Sequence, residues 1–113
     1  MEREEFRSFA LSLPEAVEIE TWGHPTFRVR EKIFATLSPE DDSASVKTTK
    51  LEQIALVGSE PEVFGVPAYV GRSGWVTVQL ERVDPDHARE LIEEAWRQTA
   101  PKRLVKAYDS VHS

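Results

Sequence analysis

Residues 22–37, WGHPTFRVREKIFATL, constrain the fold more than any other part of the chain, because two runs of alternating apolar and polar side chains flank a short charged connection. Phe27 and Val29 alternate with Thr26, Arg28 and Arg30 on the way in, and Ile33, Ala35 and Leu37 alternate with Phe34 and Thr36 on the way back. A period of two belongs to an extended strand with one face against a core, so the stretch predicts an antiparallel hairpin joined by Arg30, Glu31 and Lys32. Two strands alone are marginal in water, so further strands and a covering layer are required.

The flanking sequence supplies them. In residues 2–13, Phe6, Phe9, Ala10 and Leu13 fall at the spacing of one buried helical stripe, with Glu2, Glu4 and Glu5 in the first turn where the helix dipole favours acids. Pro14 ends that helix. Val17, Ile19 and Thr21 then alternate with Glu18, Glu20 and Trp22, a strand with one wet face. Residues 38–43 are turn chemistry and charge, and 44–48 form the next strand candidate. Thr49 followed by Glu52 is a capping box that predicts a helix over 50–57, with Leu51, Ile54 and Ala55 as its buried stripe.

Pro61, Gly65, Pro67, Gly71 and Gly74 interrupt the next segment, which reads as a loop holding one short strand at 68–70. Trp75, Thr77 and Gln79 alternate with Val76, Val78 and Leu80, a strand expected inside the sheet. The clearest helix follows, with Asp84 as cap, Pro85 in the first turn, and Ala88, Leu91, Ile92, Ala95 and Trp96 on one face. Pro101 closes it. Residues 102–108 predict a last turn or two with Leu104, Val105 and Tyr108 turned inward, and 109–113 a frayed tail. This order predicts an α+β two-layer sandwich, a mostly antiparallel twisted sheet with helices packed on one face.

Composition narrows the function classes. A chain of 113 residues is expected to form a single domain spanning 1–113. Without cysteine it has no disulfide framework, thiolate nucleophile or cysteine zinc site. The longest apolar run, 54–57, is far short of a membrane span and the first residues, MEREEF, are charged, so a soluble, cytoplasmic protein with no membrane partner is expected. A net charge of −6 opposes non-specific attraction to DNA, which would need a local basic face. Residues 1–42 carry ten acids against five bases, whereas 43–113 carry ten against nine, with Arg97, Lys102, Arg103 and Lys106 clustered without an intervening acid.

Two longer stretches carry a family resemblance. They are LPEAVEIETWGHPTFRVREKIFATL and PEVFGVPAYVGRSGWVTVQLERVDPDHARELIEEAWRQTAPKRLVKAYD. The leading LPEA, the hairpin ending in K-x-F-A, the lysine before the central helix, the aromatic-Gly-Arg loop before a W-V strand and the APKRL turn together resemble the MmcQ/YjbR family over about residues 3–109. The resemblance implies a compact α+β fold related in shape to the frataxin (CyaY-like) sandwich, often described as a double wing. It also implies a DNA-binding label, which the family carries by structural analogy.

If the family's lysine and aromatic-Gly-Arg features share a surface, Lys47, Tyr69, Arg72, Trp75, Lys102 and Arg103 offer cations beside aromatic faces, suited to DNA or to a small anionic ligand. The bland alternative makes Trp75 a sheet residue and the cations surface charges. Trp22 and His24, in a turn forced by Gly23 and Pro25, are a candidate pocket or, more simply, a turn packing on itself. Gly71-Arg72-Ser73-Gly74 matches the GXXG of KH domains, but that loop joins two helices and here it precedes a strand. No nucleophile elbow, P-loop or dinucleotide fingerprint is present, no histidine pair has ligand spacing, and Glu40, Asp41 and Asp42 lack calcium-loop alternation. The expectation is a non-enzymatic domain without cofactor or metal, acting as a DNA-binding or regulatory module. The alternatives are a small-molecule (anionic or aromatic ligand) binding protein and a protein-interaction module.

Overall fold

The computed structural model describes residues 1–68 and 70–112. Helix α1 (Arg3–Ser12) is followed by strands β1 (Val17–Thr21), β2 (His24–Val29), β3 (Lys32–Leu37) and β4 (Ser43–Lys47), helix α2 (Lys50–Ser59), strands β5 (Phe64–Gly65) and β6 (Trp75–Gln79), and helices α3 (Pro85–Thr99) and α4 (Lys102–His112). The strands form one six-stranded sheet in the order β1-β2-β3-β4-β6-β5, with every neighbouring pair antiparallel. The α+β two-layer arrangement is therefore the one expected, with the helices gathered on one face.

Cross-strand pairing defines the two faces. Phe27 pairs with Ala35, Ala35 with Val46, and Val46 with Val76, and all four side chains are buried beneath the helices. Helix α3 covers this face across β3 and β4, burying Ala88, Leu91, Ile92, Ala95 and Trp96. Its N-terminus is held by Asp84, whose carboxylate accepts the His87 backbone N–H at 3.0 Å, with Pro85 starting the first turn. The Trp96 indole is fully buried and donates to the Pro14 carbonyl at 3.0 Å, tying α3 to the end of α1. Phe6 of α1 meets Phe27 edge to face at 6.0 Å, closing the same layer.

Four local departures from the periodic pattern have physical causes. The β2–β3 register shifts between Phe27 and Arg28, so Phe34 is an extra residue in β3. Strict alternation sends Phe34 away from the core; the bulge buries it and turns Ile33 toward the opposite face. In α2 the expected stripe of Leu51, Ile54 and Ala55 faces solvent, with Leu51 81% and Ile54 60% exposed, while Gln53 and Leu56 are buried. Helix α2 packs mainly along β5 and β6, and the side-chain amide of Gln53 is needed there by backbone carbonyls. The expected strand at 68–70 is replaced by β5 four residues earlier, and Ala68 and Val70 lie in turns. Strand β1 is an edge whose residues, Thr21 aside, are exposed on both faces.

The C-terminal helix is longer than one or two turns. Helix α4 reaches His112 because Tyr108 packs edge to face on Trp96 at 5.1 Å and donates to Glu93 at 2.5 Å. Burial, then the hydrogen bond to Glu93, pushes the Tyr108 phenol from 10.0 up to about 12. The folded value lies above the unfolded one, so this contribution is complete below the unfolded value and fades as pH rises through the folded one.

Trp96→Ala is expected to destabilise the fold by about 3–5 kcal/mol in urea denaturation, whereas Leu51→Ser and Ile54→Ser should each change it by no more than about 0.5 kcal/mol. In a Tyr69→Phe background, phenolate absorbance should report one tyrosine titrating near 12, with stability falling between pH 10 and 12. Titration of that phenol at its unperturbed value would contradict the α4 docking.

Candidate functional site

The helix layer leaves the other face of the sheet uncovered. Cross-strand pairs place Ile19, Thr26, Thr36, Ser45 and Thr77 along one line of that face. Most sheet faces that stay wet are lined by small hydroxyl and charged residues, and this one follows the rule except at its ends, where two indoles stand. A cleft of about 680 Å³ opens there, lined by Thr21, Trp22, His24, Thr26, Ile33, Thr36, Ser45, Ala68, Val70 and Trp75. Its volume is in the range that holds small organic ligands.

Local chain geometry builds each wall. The β1–β2 turn has two central residues, Trp22 at φ 54° and Gly23 at φ 82°, the positive pair of a type I′ hairpin turn. Glycine takes such angles freely, but a bulky side chain there is strained by about 1–3 kcal/mol. Trp22 is also 95% exposed and so gains nothing from the core. The opposite wall depends on Gly74, at φ 96°, where a β-carbon would meet the Thr48 carbonyl oxygen at 2.4 Å. This close approach lets the short turn Gly71–Ser73 deliver Trp75 onto the sheet.

Gln53 fixes that turn from beneath. Its Nε2 donates to the Gly71 carbonyl at 2.6 Å and to the Trp75 carbonyl at 2.5 Å, and the side chain is 2% exposed. On the floor, Thr26 donates to the Ile19 carbonyl at 2.6 Å and accepts from Arg28 Nε at 3.2 Å, while Thr21 accepts from the Arg28 guanidinium at 2.9 Å. The side-chain hydroxyls of Thr36 and Ser45, paired across β3 and β4, have no hydrogen-bond partner among the described residues. They are the hydroxyls open to a ligand.

The residues singled out from sequence are divided between surfaces. Trp22, His24 and Trp75 all line the cleft, and Lys47 lies beside it on the same face, directly opposite Trp75. Arg72 is exposed on the turn leading to Trp75. Tyr69 lies outside the described residues. Lys102 and Arg103 are exposed on α4, in the helix layer, where Arg103 borders a groove with Glu15 and Arg30. The basic cluster is not free of acids in space, because Arg97 binds Asp109 at 2.5 Å and lies within 3.7 Å of both Glu93 and Glu94. In the acidic loop, Asp41 accepts from Ser43 at 2.6 Å, which lowers its pKa, so this carboxylate serves the turn. Ile33, Thr36, Ser45 and Gln53 were not signalled: the first needed the bulge, and the others have no distinguishing neighbour in sequence.

The sequence matches the YjbR family model over residues 11–98. The chain belongs to the YjbR family. Uncharacterised proteins of Mycobacterium bovis and Mycobacterium tuberculosis are each 26% identical to this YjbR-family chain over 91 residues, covering 77% of it and 70% of their own length. The crystal structure of a Deinococcus radiodurans protein with a DUF419 domain superposes with a TM-score of 0.77 at 20% identity, over 84% of this chain and 75% of that one. That likeness establishes the fold. Among the described residues no helix is long and apolar enough to cross a membrane.

Because Trp22 occupies an Asn-type turn position and contributes no burial, Trp22→Asn should leave stability unchanged or raise it by up to about 1 kcal/mol. Thermal and urea unfolding measure this directly. A clear loss of stability would show that the indole belongs to the fold and not to the cleft.

Proposed function

We propose that this YjbR-family chain is a small-molecule-binding domain that holds a planar ligand in the cleft on the uncovered face of its sheet. The observation that supports it most is Trp22, an indole 95% exposed at a strained turn position and facing the same cleft as Trp75. Single exposed apolar residues are ordinary on protein surfaces, but a bulky one held at positive φ beside a cleft works against the turn it occupies. Two indoles supply flat, polarisable surfaces for stacking, and Thr36 and Ser45 supply hydrogen bonds that fix orientation.

The lining consists of indoles, one imidazole, hydroxyls and aliphatic groups, a set that suits holding a molecule more than transforming it. We therefore read the domain as a binder and not as an enzyme. A DNA-binding role would draw on Lys47, Arg72, Lys102 and Arg103 together, and these stand on opposite layers of a chain with net charge −6. Phosphate neutralisation over a continuous surface is what drives such binding, so the cleft reading is the better supported.

The test is a titration of ¹⁵N-labelled protein with 2-naphthamide, a neutral planar probe. The indole N–H signals of Trp22 and Trp75 should move saturably while that of buried Trp96 stays in place, and Trp22→Asn should weaken binding by at least about tenfold, about 1.4 kcal/mol. No movement at millimolar probe, or movement of Trp96 alone, would reject the reading.

A further inference from the structure

We infer that the ligand of this cleft is a planar aromatic anion, with its ring between Trp22 and Trp75 and its negative group at Lys47, an inference that rests on the cleft being a binding site. The chain carries 20 acids against 14 lysines and arginines, so an average surface should show more carboxylates than cations. The uncovered sheet face departs from that. Its ionised strand residues, identified by cross-strand pairing, are Arg28, opposite Val17, and Lys47, opposite Trp75. The acids of β1 lie on the other side: Glu18 pairs with Phe27 and Glu20 with Pro25, and Glu18 is held by Arg7 of α1 at 2.9 Å.

The two cations are not equivalent. Arg28 is committed to the Thr21 and Thr26 hydroxyls, which orient it within the sheet. Lys47 is half-buried, and its ammonium group has no hydrogen-bond or ion-pair partner among the described residues. Directly paired residues on a sheet face place their β-carbons about 4.5–5.5 Å apart, so the Lys47 stem runs alongside the Trp75 side chain. Two residues back on the same strand is Ser45, with its open hydroxyl in the cleft. An aromatic ring stacked on Trp75 therefore has a hydroxyl pair under it and an uncompensated ammonium at its edge, and partial burial strengthens that charge relative to one in bulk water.

The experiment compares 2-naphthoate with 2-naphthamide, which share shape and differ in charge. The carboxylate should bind about tenfold more tightly at low salt, and the preference should shrink with added salt. Lys47→Met, which keeps the aliphatic stem, should equalise the two probes, while Lys47→Arg should keep the preference. Equal binding to the native protein, or a preference that survives in Lys47→Met, would overturn the anion assignment and leave the cleft reading standing. Absence of binding by both probes would overturn the cleft reading and this inference together.

Discussion

The burial of α3 against β3 and β4 is the contact on which the rest of the structure depends. Ala88, Leu91, Ile92, Ala95 and Trp96 form one helical stripe, and they meet the sheet face that carries Phe27, Ala35, Val46 and Val76. Trp96 links that layer to α1 through Pro14 and to α4 through Tyr108. With α1, α3 and α4 gathered on one side, the opposite face of the sheet carries no helix and is covered only in part, by the walls of the cleft. Its central line of threonine and serine is what such a position requires, so the indoles at its ends need another explanation.

That asymmetry separates residues that hold the fold from residues that face a ligand. Gln53 and Gly74 belong to the first group, although they act on the site: one ties the Gly71–Ser73 turn to Trp75 from below, and the other lets that turn pass close to the Thr48 carbonyl. Trp22 belongs to the second. Stability gained nothing from placing it at positive φ, and natural proteins commonly tolerate such local strain at functional positions.

The parts of the fold that were legible in sequence are those where one strong pattern meets one covering partner. Helices α1 and α3 carry clean 3.6-residue stripes, and α3 has its Asp84 and Pro85 start signals, so both fall where the pattern puts them. The β2–β3 hairpin was legible as a hairpin, but the bulge at Phe34 exchanges the faces of Phe34 and Ile33, which an unbroken period of two cannot show. Helix α2 misled for a different reason: its apolar residues outnumber what its narrow contact with β5 and β6 can cover, and a buried amide took the inward position. At the site, Trp22, His24 and Trp75 were visible as aromatic and titratable residues near turns. Which cations accompany them was not, because Lys47 and Lys102 look alike in sequence and only the layer arrangement sets them on different sides.

Occupation of the cleft is measured most directly by intermolecular nuclear Overhauser contacts between bound 2-naphthoate and the protein. Contacts from the ring to the Trp22 and Trp75 indoles and to the Ile33 and Val70 methyls are expected if the cleft holds the ligand. Contacts confined to α2 or α4, with none on the uncovered sheet face, would contradict it.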